Sequence, residues 1–248
     1  ESHVDRSIDS VQPFIETNVD GTRVLLESIA KRTTEGVPIH FVHVSTDEVY
    51  GSLGPKDAAF TEETPLNPQN PYAASKAASD MLVQAFINTH KISAIITRCS
   101  NNYGPRQHPE KLIPLMTLNA LNNKPLPVYG NGLQIRDWIH VEDHANGVLS
   151  AMLALYVGRI SSGEVFNFGA DNEQKNIDIV KKIISQTSSS DSLINFVKDR
   201  PGHDKRYAMK YNKAEKVLGW KPEIDWNTGL LETIQWYKMN PNWVNSTK

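Results

Sequence analysis

The sequence has a single cysteine, Cys99, among 248 residues, so no internal disulfide can form. That absence points to a reducing compartment, and so to the cytoplasm. No apolar run approaches the roughly 20 residues that a bilayer-spanning helix needs. There is no basic excess either. The formal net charge is -2, which argues against nucleic acid or an anionic membrane surface as partner. No internal repeat is present. His3 and His203 fall outside any metal-ligand spacing, so no metal is expected. A glycine-rich phosphate loop is missing as well: neither Gly-x-Gly-x-x-Gly nor Gly-x-x-Gly-x-x-Gly follows a strand pattern. Finally, no Met and no signal-peptide pattern opens the chain, which starts Glu1-Ser2-His3-Val4. It reads as a sequence whose N-terminal part lies elsewhere.

What is present is a globular composition, 39% hydrophobic and 22% charged, with room for one large domain or two small ones. Apolar residues at helical spacing from Phe14 to Ile29 predict a helix between Ser7 and Lys31, in one long piece or two. Ile39–Val44 predicts a strand whose inner face carries Val42 and Val44. Gly54, Pro55, Pro65, Pro68 and Pro71 predict a shaped loop from Gly51 to Pro71. A helix then runs from Tyr72 to about His90, with Met81, Leu82, Ala85 and Phe86 as its apolar stripe. Ala94–Arg98 predicts a second strand, ending in a polar turn from Cys99 to Pro105. Shorter elements follow, among them a helix from His144 to Tyr156 capped by Glu142-Asp143. Strands alternating with helices predict an α/β fold with a parallel sheet. The organisation changes near residue 105, where strands shorten and loops lengthen.

In open α/β sheets, ligands bind beyond the carboxyl ends of the strands. Thr46-Asp47-Glu48 and Asn101-Asn102 both stand at such ends, which makes them candidates for a site. A polar turn that only caps the next helix is the plainer reading of Thr46-Asp47-Glu48. Tyr72 and Lys76 are four residues apart, hence on one face of their helix. A lysine cation near a phenol lowers its pKa and equips it as a general base. A bare Tyr-x-x-x-Lys is common; one that follows Asn70-Pro71 at a helix start, some twenty residues after a Ser-Thr strand end, is far more specific.

The order of the motifs resembles the extended short-chain dehydrogenase/reductases, and within them the nucleoside-diphosphate-glucose 4,6-dehydratases. The matching segments are Glu1–Ser7, Ser45–Gly51, Pro71–Lys76, Ser100–Pro105, Pro109–Pro114, Gln134–Trp138, Val141–His144 and Asp199–His203, and they span essentially the whole chain. The resemblance implies a Rossmann-like doubly wound sheet followed by a smaller C-terminal α/β substrate-binding domain. Residues 1–105 would be the remainder of the NAD-binding domain. Residues 106–248 would bind the nucleotide sugar, with about 134–156 returning to the first domain.

The family's chemistry uses NAD. It implies that Tyr72, as phenolate, takes the sugar 4-OH proton while hydride leaves C4, with Lys76 lowering the Tyr72 pKa and Thr46 hydrogen-bonding near O4. Glu48 then removes the C5 proton, Asp47 protonates the departing 6-OH, and hydride returns to C6. Two neighbouring carboxylates in unlike environments suit that pairing of base and acid. By the same resemblance Ser2, Thr17, Ser45, Tyr72, Lys76 and Asn102 would hold the cofactor. Ser2, Asn101, Lys111, Leu112, Pro127, Tyr129, Arg136, Asn172, Arg200 and His203 would hold the nucleotide sugar, with Arg136 and Arg200 as forked donors to a diphosphate. The segments Pro109–Pro114 and Arg200–His203 favour dTDP-glucose over UDP or CDP sugars. A homodimer through the helices Ser7–Lys31 and Tyr72–His90 is also implied.

The departure from the family is its first βαβαβ unit, which carries the phosphate loop and has no counterpart here. On that ground the 248-residue polypeptide is expected to bind NAD weakly and to leave a sheet edge open. A 4-epimerase, which usually lacks the acidic pair, and a non-catalytic sugar-nucleotide-binding fragment are the rival expectations.

Overall fold

Alternating apolar and polar residues on β1 (His40–Thr46) and a continuous apolar run in β2 (Ser93–Cys99) build the first sheet of the computed structural model, which describes residues 1–247. Before them come α1 (Val4–Asp9), α2 (Gln12–Phe14) and α3 (Gly21–Thr34). Then follow α4 (Pro71–His90), β3 (Asn101–Tyr103), α5 (Leu112–Leu121), β4 (Leu126–Tyr129), β5 (Ile135–His140), α6 (Val141–Tyr156) and β6 (Val165–Phe168). The chain continues through β7 (Glu173–Lys175), α7 (Asn176–Thr187), β8 (Ile194–Val197), α8 (Asn212–Leu218), α9 (Trp226–Met239) and α10 (Pro241–Ser246).

The first sheet is parallel, in the order β1-β2-β6, with Thr46 beside Cys99 at the carboxyl ends. Successive side chains of a strand point to opposite faces, and both faces here are covered. Ala94 and Ile96 of β2 pack with Leu26, Val83 and Ile87 from α3 and α4. Ile95 of β2, with Phe166 and Phe168 of β6, packs on Ala151 and Leu155 of α6 and Leu218 of α8. This is the doubly wound α/β arrangement. Two smaller sheets complete the fold: β3 and β5 run parallel with β7 antiparallel to β5, and β4 pairs with β8. A separate core of Tyr103, Met116, Trp138, Ile183, Trp226 and Leu230 lies among them.

Several local expectations give way to polar packing. Val42 and Val44 do share a face, but Val44 is 44% exposed, while His43 on the other face is 5% exposed. The reason is Asp80 of α4, whose carboxylate lies 3.2 Å from His43 Nε2. For the same reason the buried stripe of α4 is Ala73, Ala77, Asp80, Val83 and Ile87; of the expected stripe, Leu82 and Phe86 pack against that core half-buried, while Ala85 is exposed and Met81 is 62% exposed. The expected polar turn after Cys99 contains β3, paired to β5. α6 is capped by His140, whose ring nitrogen accepts from Glu142 N, with Glu142 and Asp143 inside its first turn.

The helix between Ser7 and Lys31 is broken into pieces, and a wide π turn at Ile15–Asp20 joins α2 to α3. Phe14, Asn18, Thr22, Leu26 and Ala30 face inward along it. The proline-rich loop is anchored by Phe60, which stacks on Tyr50 at 5.0 Å and exchanges backbone hydrogen bonds with Ala208 and Lys210. Gly51 starts that loop at φ 91°, where a Cβ would strike the Asn67 carbonyl.

Candidate active site

The carboxyl end of β1 delivers the acidic pair. Thr46 caps the single 3-10 turn Asp47–Tyr50, its hydroxyl accepting from Glu48 N at 3.3 Å. The capping expected of this segment is therefore real, and it leaves both carboxylates turned towards a cavity of about 530 Å³. α4 starts beside it with Asn70 as N-cap and Pro71 as first helical residue, where a missing N–H costs nothing. Ser7 of α1 accepts from Tyr72 N at 3.1 Å and ties that start to the N-terminal segment.

Electrostatics separate the two carboxylates. Burial, then the neighbouring Glu48 charge, pushes Asp47 well above the usual carboxylate range. Burial also raises Glu48, but a hydrogen bond from Asn70 and the Arg136 charge pull it back. Burial thus disfavours the charged form of both, and only Glu48 has a direct hydrogen bond from Asn70 that favours its charge.

The Tyr72–Lys76 pair departs from expectation. The two share a helix face, yet Lys76 Nζ donates to the Val44 carbonyl at 2.8 Å. Burial, with the Glu48 charge next, pushes the Tyr72 hydroxyl well above its ordinary value. The Lys76 charge is set against Asp80 and Cys99, whose thiol burial pushes up to about 11.

The cavity brings together Ser2, Ser45, Thr46, Asp47, Glu48, Tyr72, Asn101, Asn102, Lys111, Leu112, Pro127, Tyr129, Arg136, Arg200 and His203. Thr17, Lys76 and Asn172 do not line it. Thr17 is exposed in the π turn. Asn172 is held on β5, its N–H donating to Asp137 at 2.7 Å and its amide to the Trp138 carbonyl at 3.3 Å. Arg136 lines the cavity but does not present a free fork. It donates to the carbonyls of Ile135 and Asp204 and lies 4.3 Å over the Tyr207 ring. Asn70, Cys99, Asp204 and Tyr207 also line the cavity. The N-cap position of Asn70 was a readable signal for the first; the others carried none.

One wall is closed by the N-terminal segment. Asp5 accepts from Tyr129 OH at 3.0 Å and lies 3.5 Å from Arg200 Nε, Arg6 pairs with Glu110 at 2.8 Å, and Lys111 Nζ donates to Ser2 O at 2.8 Å. On another side Asn102 donates to Cys99 Sγ at 3.3 Å and to Ser100 O at 3.0 Å. Its oxygen lies 2.9 Å from Nδ1 of His144, a ring kept neutral by burial, which lowers it to about 4.

The chemistry of the walls suits a polar organic ligand. Asp47 Oδ2, Asn101 Oδ1 and His203 Nε2 are buried there without hydrogen-bond partners. Ser45, Tyr72 and Asn102, at or beside the strand ends, fit the reactive end of a nicotinamide cofactor. Among the described residues no group of His, Cys, Asp and Glu is placed to hold a metal ion, and no helix is long and apolar enough to cross a membrane.

A doubly wound parallel sheet with a Tyr-x-x-x-Lys helix is the arrangement of the extended short-chain dehydrogenase/reductase class, and the acidic strand end is the feature that its 4-epimerases usually lack. The GDP-mannose 4,6 dehydratase family model matches residues 1–233. The dTDP-glucose 4,6-dehydratase of Neisseria meningitidis is 48% identical, over 98% of this chain and 72% of that protein. The crystal structure of dTDP-glucose 4,6-dehydratase from Bacillus anthracis with NAD superposes with a TM-score of 0.86 at 48% identity, covering 95% of this chain and 72% of the other. The Streptomyces venezuelae dTDP-glucose 4,6-dehydratase, also with NAD, gives 0.92 at 43% identity, over 100% and 74%. The chain belongs to this nucleotide-sugar 4,6-dehydratase family.

Proposed function

We propose that the protein catalyses NAD-dependent dehydration of dTDP-glucose to dTDP-4-keto-6-deoxyglucose. The observation that carries this reading is the sorted pair at the end of β1: Asp47 and Glu48 adjacent, both on the cavity, with Asp47 pushed further up. Elimination across C5 and C6 needs one group to take a proton and one to give it. Glu48 takes the C5 proton, acidified by a 4-keto group, Asp47 protonates the departing 6-OH so that water leaves, and Glu48 returns its proton to C5 as C6 is reduced. Tyr72, beside Thr46 on the cavity, receives the 4-OH proton at the start as its phenolate, a form that burial opposes and that the Lys76 ammonium together with the positive charge of a bound nicotinamide would favour. The chemistry supplied by bound NAD is reversible two-electron transfer, oxidation at C4 first and reduction at C6 last. Ser45, Tyr72, Lys76 and Asn102 would hold its nicotinamide end.

On this reading residues 1–105 form the cofactor side and 106–248 the nucleotide-sugar side, with 134–156 returning. The packing of α6 on β1 and β2 supports that return, and β6 extends it by pairing with β2. The free thiol of Cys99 is in keeping with the cytoplasm.

Incubation of the protein with NAD and dTDP-glucose tests the reaction. A 4-keto-6-deoxy product is expected, and dTDP-galactose as product would overturn the proposal in favour of an epimerase. Calorimetric titration separates the remaining rival, since binding of dTDP without binding of NAD would leave only a sugar-nucleotide-binding module.

The same reading makes the protein a homodimer through α3 and α4. The two helices pack side by side, and Val24, Leu25 and Met81 on them are 50%, 55% and 62% exposed. Leu25→Glu is expected to convert a dimer to a monomer in sedimentation equilibrium, because a charge would be buried in the interface. An unchanged mass would place the dimer contact elsewhere.

A further inference from the structure

Asn70 serves two partners at once. Its side-chain oxygen accepts from Ala73 N at 2.8 Å as the N-cap of α4, and its amide nitrogen donates to Glu48 Oε2 at 3.2 Å. The residue is 9% exposed. A helix cap needs only an acceptor, so serine or aspartate would cap α4 as well. A side-chain amide offers its acceptor to the helix and its donor to a carboxylate from two separate atoms, whereas the shorter serine has a single oxygen for both and aspartate has no donor when ionised. Its orientation is fixed by both ends: turned over, it would set its oxygen against the Glu48 carboxylate and its NH₂ against the Ala73 N–H.

We propose that Asn70 is the positioning residue for Glu48, holding that carboxylate in its ionised form and at a fixed distance from the first turn of α4. Tyr72 lies two residues further on in the same turn, so one side chain sets the spacing between the group that starts oxidation and the group that performs elimination. The assignment of Glu48 as the base rests on the dehydratase reading; the contact itself does not.

The charges around Glu48 are mixed. Arg136 from β5 and Arg200 from the 198–205 loop favour its ionised form, while Asp204 from that loop opposes it. Asp47 on its own turn, Tyr72 from α4 and Cys99 from β2 also feel its charge, as do Lys111 before α5 and Tyr207. Of these groups Asn70 is the one whose side chain makes a direct hydrogen bond to the Glu48 carboxylate.

The test uses Asn70→Ser and Asn70→Asp, both of which keep an N-cap acceptor. Carboxyl NMR of ¹³C-glutamate-labelled, ligand-free protein follows Glu48, its resonance identified by its loss in Glu48→Gln. Loss of a hydrogen bond to a charged group is expected to raise the Glu48 titration by about one pH unit in Asn70→Ser. Asn70→Asp, which adds a like charge, should raise it further. The acid limb of the kcat–pH profile should move up by the same amount, while the melting temperature stays close to that of the parent. A Glu48 titration unmoved in both variants would show that Asn70 is a helix cap alone, and would overturn the inference. A Glu48 titration that shifts in a protein making no 4-keto-6-deoxy product would uphold the Asn70 contact and sink the dehydratase reading instead.

Discussion

Glu48→Gln stops dehydration while oxidation at C4 continues, so reduced cofactor accumulates in the presence of dTDP-glucose. Glutamine is nearly isosteric, and its carbonyl can still accept from Asn70, which in the parent lies 3.2 Å from the carboxylate. What disappears is the capacity to take a proton. Loss of a positioned general base costs roughly 10²- to 10⁴-fold, and product formation should fall by that factor. Tyr72 and Thr46 are untouched, so the first half of the reaction survives. Absorbance of reduced nicotinamide in stopped flow checks this directly. Product formation within tenfold of the parent, or no build-up of reduced cofactor, would remove Glu48 from the role of base. In the parent, the acid limb of the rate profile reports Glu48, which must be ionised. Burial raises its pKa, so that limb should lie above the usual carboxylate range. Asp47 must be protonated, and because burial lifts it further, its loss of a proton sets an opposing limb at higher pH.

The largest loss of stability is expected from Arg98→Met. Arg98 Nε donates to Asp80 Oδ2 at 2.9 Å and another guanidinium nitrogen donates to Tyr50 OH at 2.8 Å, and the tyrosine hydroxyl in turn donates to Asn167 Oδ1 at 2.9 Å. Both charged side chains are buried, at 7% and 2% exposure. Methionine fills the space but leaves Asp80 without its guanidinium, with His43 at 3.2 Å and the Lys76 charge as what remains. Removing one partner of a buried pair costs about 3–5 kcal/mol, to be read from denaturant unfolding; a loss below about 1 kcal/mol would mean that water or His43 replaces the arginine.

The pH dependence offers a second check on Arg98→Met. Burial works to raise the Asp80 carboxyl, but His43 and Arg98 hold it below its ordinary value. Its contribution is therefore complete above the unfolded pKa of about 3.9 and fades as pH falls through the lower folded value. The gap between parent and variant should be widest near neutrality and narrow on acidification.

Arg98 and Asp80 also show what the sequence made legible and what it hid. The strands β1 and β2, the start of α4 and the acidic strand end could all be read, because apolar runs, Asn70-Pro71 and the strand-end rule are local signals. The inward face of α4 could not. Its buried positions include Ser75, Ser79 and Asp80, polar residues that meet polar partners, so a search for an apolar stripe settles on Met81 instead. Arg136 was hidden for a related reason: a guanidinium stacked on Tyr207 and bonded to carbonyls looks, in sequence, like one free to meet a phosphate. Tyr72 and Lys76 were correctly placed on one face, but spacing fixes where side chains leave the helix and not where their tips go. β3 and β7, three residues each, are too short to leave a period.

The wide turn at Ile15–Asp20 carries a lesson about helical phase. The inward residues Phe14, Asn18, Thr22, Leu26 and Ala30 recur every four positions. A regular helix advances about 100° per residue, so a four-residue repeat would drift by about 40° at each step and carry the buried face out to solvent before Ala30. The bond from Gly21 N to Glu16 O takes up one extra residue within a single turn, and most of that drift is cancelled there. Leu26 and Ala30 then still face α4, and Val24 and Leu25 still face outward. A period of four, which fits neither a straight helix nor a strand, thus marks a helix that is locally unwound to keep one side in phase.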